Sequence, residues 1–287
     1  MFNNKLILGT ANFAKGYGIM NKKGVSSKVI KNLIKFSRKN KIYGLDTAYS
    51  YRGVEKNIGK VNLANLKICT KTPKIIKKKE ILIEKYIYKA VKSSSIRINV
   101  KSFYVVFIHK SEDLFGPKGE EIYKAMLNLK KGGITKKIGV SVYSPEDLKK
   151  ILKKYFFDVV QIPINVFDRR FLKKNYLYEL KKKNIEIHAR SIFLQGMLLL
   201  DQNLLPSYFR RWQKLFNKWQ EWNKQHNVKK VHTCLNFIKN VNYIDKIVIG
   251  VSNIDGFQEI INYRKIEKLF PKKIFSADKK LLDPRLW

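Results

Sequence analysis

Three ionisable side chains of different chemistry close three successive apolar runs. Asp46 stands in "IYGLDTA" (42–48), Lys71 ends "LKICTK" (66–71) and His109 ends "FYVVFIH" (103–109). Two tyrosines, Tyr49 and Tyr51, follow the first of these. A phenol has a pKa near ~10 and is a poor acid at neutral pH, but a nearby ammonium stabilises its phenolate. A tyrosine leaning on Lys71, with Lys71 held by Asp46, is therefore a usable proton donor. A neutral imidazole at His109 can hydrogen-bond a carbonyl oxygen and orient it. Such a set protonates an oxygen while another agent attacks the carbon, and a hydride donor suits that role.

These residues need elements that bring them together. The chain carries eight short apolar runs: 6–11, 42–48, 66–71, 103–109, 137–142, 159–165, 185–191 and 246–252. Most are near-continuous rather than alternating, as strands buried on both faces are. Helix-like segments separate them at 26–40, 79–92, 144–155, 168–183, 225–240 and 255–268. Ser26 or Ser27 can cap the first, and "SPED" (144–147) is a strong helix opening. Eight buried strands alternating with helices favour an α/β fold, a single-domain (β/α)8 TIM barrel, over a doubly wound open sheet. No G-x-G-x-x-G follows the first strand. Functional groups of such a barrel sit at the C-terminal strand ends, which here read Asp46, Lys71, His109, Ser141, Asn165, Ser191 and Ser252. Adjacent strands lie about 5 Å apart, so Asp46 and Lys71 are expected to pair.

With those ends in place, the sequence resembles the aldo-keto reductases. The family pattern D-T-A-x-x-Y-G-x-S-E-x-x-L-G is matched by Asp46, Thr47, Ala48, Tyr51, Glu55 and Gly59, with Ile58 at the Leu position. Thr70-Lys71 matches the family's strand-three ending, and His109 its strand-four ending. The stretches 8–21, 139–148, 161–170, 193–199 and 247–253 follow in the expected order. The resemblance selects Tyr51 over Tyr49 and implies a catalytic set of Asp46, Tyr51, Lys71 and His109. It implies a nicotinamide cofactor, NADP or NAD, held by Gly9, Thr10, Ala11, Ser141, Gln161, Ser191, Gly250, Ser252 and Asn253. No basic residue follows strand eight in "GVSNIDGFQEI" (250–260), which argues against an NADP preference. Arg52 and Val54 replace the pattern's Gly and Ser, and Arg52 and Tyr49 become candidate substrate contacts. The closing "LLDPRLW" (281–287) resembles a subgroup associated with polysaccharide or surface-sugar biosynthesis. The expected reaction is hydride transfer between the cofactor and a small carbonyl or alcohol, with a sugar derivative suggested by that closing stretch. A cofactor-binding scaffold on the same barrel is the alternative.

The expected organisation is one barrel over 1–287, with an insertion at about 192–224 after strand seven and a C-terminal tail at about 270–287. Trp212, Trp219 and Trp222 of the insertion are expected to pack on the barrel rather than stack bases. The chain has 60 Lys and Arg against 22 Asp and Glu, a net +38. The excess is mostly Lys, spread evenly with abundant Ile and Asn, as in AT-rich coding sequence. It carries no nucleic-acid-binding signature, and no specific nucleic-acid partner is expected. Two cysteines, Cys69 and Cys234, cannot build a disulfide framework. His109, His188, His226 and His232 form no ligand pattern, so no metal is implied. With no signal-peptide core and no membrane span, a cytoplasmic protein is expected. Oligomeric state is not encoded in any motif.

Overall fold

The computed structural model describes residues 2–16, 23–51, 53–75, 82–263 and 270–287. Eight parallel strands close into a barrel in chain order. They are β1 Leu6–Gly9, β2 Gly44–Asp46, β3 Lys67–Lys71, β4 Phe103–Ile108, β5 Thr135–Ser141, β6 Val159–Pro163, β7 Glu186–Arg190 and β8 Lys246–Gly250. β1 pairs with both β2 and β8, which closes the ring. The helices are α1 Ser27–Lys39, α2 Val54–Gly59, α3 Ile83–Ile98, α4 Gly119–Lys131, α5 Pro145–Leu152, α6 Tyr176–Lys182, α7 Gln213–Gln225, α8 Lys230–Lys239, α9 Ile254–Ile261 and α10 Lys279–Leu282.

Each helix buries one stripe against the strands. In α1 the stripe is Ile30, Leu33, Ile34 and Ser37, an i, i+3, i+4, i+7 set. Ser26 starts it, its side chain accepting from the Val29 N–H at 3.4 Å. Ser144 does the same for α5, accepting from the Asp147 N–H at 3.1 Å, with Pro145 in the first turn. Side chains such as Leu33, Ile87 and Phe171 are fully buried, each worth about 1.5–3 kcal/mol.

Inside the barrel, space is tight. A Cβ on Gly139 would lie 2.5 Å from the Phe107 ring, so glycine there lets the ring of the neighbouring strand fill the interior. Only glycine fits opposite that phenylalanine.

Several boundaries differ from the expectations. The segment 168–183 is broken: a 3-10 turn at Arg170–Leu172 precedes α6. Lys174 and Asn175 between them have positive φ, which ends one element and starts the next. The segment 225–240 straddles the end of α7 and all of α8. α3 runs on to Ile98, past the expected 92. Residues 79–81 and 264–268 of the expected helices lie outside the described residues.

Residues 192–224 form short 3-10 turns followed by most of α7. Trp219 is buried, and its indole N–H donates to the Leu198 carbonyl at 2.9 Å. Trp212 donates to Asp278 at 3.0 Å, and Trp222 stacks on His226. All three rings are thus engaged within the chain. The C-terminal tail is moored near β6. Arg169 donates to the carbonyls of Pro271, Lys272 and Ile274, and Asp168 bridges to Ser276. Among the described residues no helix is long and apolar enough to cross a membrane, and no cluster of His, Cys, Asp and Glu could hold a metal ion.

Candidate active site

β2 and β3 pair in parallel register, with Asp46 opposite Cys69 and Lys71 two residues beyond. The register delivers both charges to the same mouth of the barrel. Lys71 Nζ donates to Asp46 Oδ1 in a buried ion pair and to the Thr47 carbonyl at 3.0 Å. Gln161, four strands away on β6, donates its amide to the other oxygen, Asp46 Oδ2, at 2.9 Å. The carboxylate is therefore satisfied from both sides, as a buried charge requires.

Tyr51 sits in the turn before α2, where its N–H bonds the Ala48 carbonyl at 3.0 Å. Its ring is mostly buried and its centroid lies 5.8 Å from Lys71 Nζ. His109 meets the Tyr51 ring edge-on at 6.2 Å. Burial and then the cations Lys71 and Arg190 pull the His109 imidazole down to about 3, against an opposing pull from Asp46. It is therefore neutral at neutral pH, and its free ring nitrogen can donate or accept. Glu55 anchors this region: it takes two bonds from Arg97 of α3 at 2.8 and 2.5 Å and one from Ser94 at 3.1 Å. α2 and the turn carrying Tyr51 are thereby held to α3.

A cavity of about 410 Å³ opens on these groups. Asp46, Tyr51, Lys71 and His109 line one part of it. Gly9, Ala11, Ser141, Gln161, Ser191, Gly250, Ser252 and Asn253 line it as well. The C-terminal ends of all eight strands and the loops after β1 and β8 thus converge on one space.

Two expected residues, Thr10 and Tyr49, do not join this lining. Thr10 is fully buried, and its N–H is committed to the Asp46 carbonyl at 2.9 Å. Tyr49 turns outward, 38% exposed, with the Arg97 guanidinium 5.0 Å from its ring centroid. It lies outside the cavity lining, held against Arg97 instead. Arg52 lies outside the described residues. Asn253 lines the cavity, but its side-chain oxygen caps α9 by accepting from the Gly256 N–H at 2.8 Å. Asn165 serves its own loop, accepting from the Phe167 and Asp168 N–H groups at 2.9 Å.

Among the lining residues not anticipated from sequence are Arg190, which closes β7, and Tyr143, which follows β5. Arg190 was hidden in "IEIHARS", where the serine was read as the strand end. The alternation of Glu186, His188 and Arg190 was the available signal, since period-two charges in a buried strand must face the barrel interior.

A sequence model of the aldo/keto reductase family matches residues 5–281. The chain belongs to the aldo/keto reductase family. Solved structures of similar shape carry the same description. The holo form of an aldo-keto reductase from Bacillus halodurans superposes with a TM-score of 0.72 at 18% identity, covering 99% of this chain and 93% of that one. A Pseudomonas aeruginosa protein assigned to the aldo-keto reductases gives 0.66 at 16% identity, covering 90% and 88%. A thermostable aldo-keto reductase bound to the inhibitor epalrestat gives 0.65 at 20% identity, covering 92% and 91%. At these identities the likeness speaks to the barrel. No curated protein matches by sequence. As an aldo-keto reductase, the chain is a nicotinamide-dependent oxidoreductase of the carbonyl–alcohol type.

Proposed function

We propose that Tyr51 is the proton donor of this reductase, that Lys71 and Asp46 support it, and that His109 orients the carbonyl. The observation that carries the reading is the convergence of these four side chains on one cavity, with His109 held neutral. A neutral imidazole can donate a hydrogen bond to the carbonyl oxygen without competing with Tyr51 as the acid. As negative charge grows on that oxygen, the Tyr51 hydroxyl transfers its proton there. The phenolate left behind faces the Lys71 ammonium, which stabilises it. Asp46 and Gln161 keep that ammonium in place. Alcohol oxidation uses the same groups in reverse.

A bound nicotinamide cofactor supplies or takes the hydride. The residues present fit such a group by their chemistry: neutral hydrogen-bonding side chains run from Ser141 and Gln161 to Ser191 and Ser252. Ser141 and the Gln161 oxygen suit a carboxamide, since the Gln161 nitrogen is already engaged with Asp46. Gly250, Ser252 and the start of α9 suit phosphate oxygens. With no basic residue in the stretch after β8, and exposed Asp255 within it, we infer no strong preference for NADP over NAD. The substrate we propose is a small carbonyl or alcohol, with a sugar derivative favoured by the closing "LLDPRLW", in a cytoplasmic setting.

The test is Tyr51→Phe, assayed by NADH and NADPH oxidation over a panel of aldehydes and sugar carbonyls. Turnover is expected to vanish while cofactor binding persists. Normal turnover by this variant would refute the assignment of Tyr51.

A further inference from the structure

We propose that Ser50 is a positioning residue that sets the tautomer of His109, placing the ring's single proton on Nε2, toward the substrate; this rests on the oxidoreductase reading above. Ser50 stands in the turn between β2 and α2, one residue before Tyr51. Its Oγ lies 3.4 Å from His109 Nδ1. Among the described residues this is the hydrogen bond made by the His109 ring. His109 lines the cavity and Ser50 does not. Nδ1 therefore faces the turn, and Nε2 is the nitrogen left for the cavity.

A neutral imidazole carries one N–H, and the partner of one nitrogen decides the state of the other. Orienting a carbonyl requires Nε2–H, because a carbonyl oxygen only accepts. Nδ1 is then a bare acceptor and needs a donor. A hydroxyl can donate there. A carboxylate or a backbone carbonyl in the same place would demand Nδ1–H and turn a lone pair toward the substrate. Ser50 is exposed, so water can serve its own lone pairs while its O–H turns to Nδ1. A neutral partner also leaves the imidazole uncharged, the form that burial and then the cations Lys71 and Arg190 favour.

The neighbouring groups leave this task to Ser50. The Thr72 hydroxyl is engaged with the backbone, accepting from the His109 N–H at 3.3 Å. Tyr51 meets the imidazole edge-on, at an interplanar angle of 85°, and restrains its rotation so that Nδ1 keeps facing the turn. The turn that supplies the acid thereby also supplies the group that orients the imidazole. A separation of 3.4 Å is long for a hydrogen bond, and such bonds at reacting centres shorten once substrate is bound.

The experiment reads the two His109 ring nitrogens in a long-range proton–nitrogen correlation spectrum of isotope-labelled protein at mildly alkaline pH. Wild type is expected to show Nε2–H with Nδ1 as a hydrogen-bonded acceptor. Ser50→Ala should shift Nδ1 toward a free acceptor, and Ser50→Asp should move the proton to Nδ1. A wild-type ring protonated on Nδ1 overturns the proposal, as do Ser50→Ala shifts that match wild type. In turnover, Ser50→Ala should lower kcat/KM for the carbonyl by about fivefold, the worth of one hydrogen bond, with the cofactor dissociation constant and thermal midpoint unchanged. Ser50→Thr, which keeps the hydroxyl, should restore most of the loss, and Ser50→Asp should lose more than Ser50→Ala. Equal kcat/KM in wild type and Ser50→Asp overturns the proposal. If no carbonyl of any kind is turned over, the oxidoreductase reading fails. The nitrogen shifts need no turnover, and they then decide the role of Ser50 by the same outcomes.

Discussion

The two ends of the barrel carry the same four kinds of side chain and use them oppositely. At the C-terminal end stand Asp46, Lys71, Tyr51 and His109; toward the N-terminal end stand Glu186, Lys137, Tyr104 and His188. The second set closes on itself. Glu186 accepts from Tyr104 at 2.7 Å, from Lys137 at 2.5 Å and from His188 at 2.8 Å, and Lys137 also donates to Tyr104 at 3.1 Å. Burial and the bond to Glu186 push the Tyr104 phenol up to about 12, making it a worse acid than free tyrosine. At the other end the carboxylate is saturated by Lys71 and Gln161, and Tyr51 and His109 line a cavity. A carboxylate, an amine, a phenol and an imidazole are therefore no signature of catalysis. What distinguishes the ends is which group takes the carboxylate's oxygens and whether space for a substrate adjoins the rest.

The sharpest break of that comparison is a pair of tyrosine variants. Tyr51→Phe should cost about 1,000-fold or more in kcat, whereas Tyr104→Phe should leave kcat nearly unchanged in the same assay. A large loss from Tyr104→Phe would erase the distinction. Next come the lysines. Lys71→Met leaves a buried Asp46 without its cation and should destabilise the fold by about 3 kcal/mol in urea titrations. Lys137→Met should cost less, because Glu186 keeps two other donors and Lys137 is 35% exposed. Tyr104→Phe removes one hydrogen bond to a carboxylate, worth about 1.5 kcal/mol by the same measurement.

A further effect is a titration. The His109 value lies at about 3 in the folded chain, against about 6.5 when unfolded. The unfolded state then binds the proton first on acidification. The contribution to stability is therefore full above about pH 6.5 and declines as pH falls toward the folded value. Proton NMR should show no His109 titration between pH 5 and 8, and the loss of stability at pH 5 should shrink in His109→Gln. A His109 resonance that titrates near pH 6.5 would contradict the assigned neutrality.

The eight strands and the upper set were legible because each apolar run of β2, β3 and β4 ends on or beside an ionisable residue, and parallel register carries those ends to one mouth. The choice between Tyr49 and Tyr51 came from the resemblance to the family pattern, and the outward turn of Tyr49 against Arg97 accords with it. The lower set escaped because Lys137 and Glu186 sit at strand beginnings, where charges look like solvated flanks. Arg190 escaped because Ser191 was read as the strand end, although the alternation of Glu186, His188 and Arg190 was there to be seen. Its partner ring, Tyr143, and the acids bound by Arg285, Glu112 and Asp283, come from segments about 47 to 93 residues away, and only closure of the barrel brings them near.

Arg169 grips the tail through carbonyl oxygens, not side chains. Backbone carbonyls are present whatever the residue, so substitutions at 271–274 leave the mooring in place. The segment that delivers Arg285 to the Tyr143 ring can thus drift in sequence while its anchorage is inherited intact.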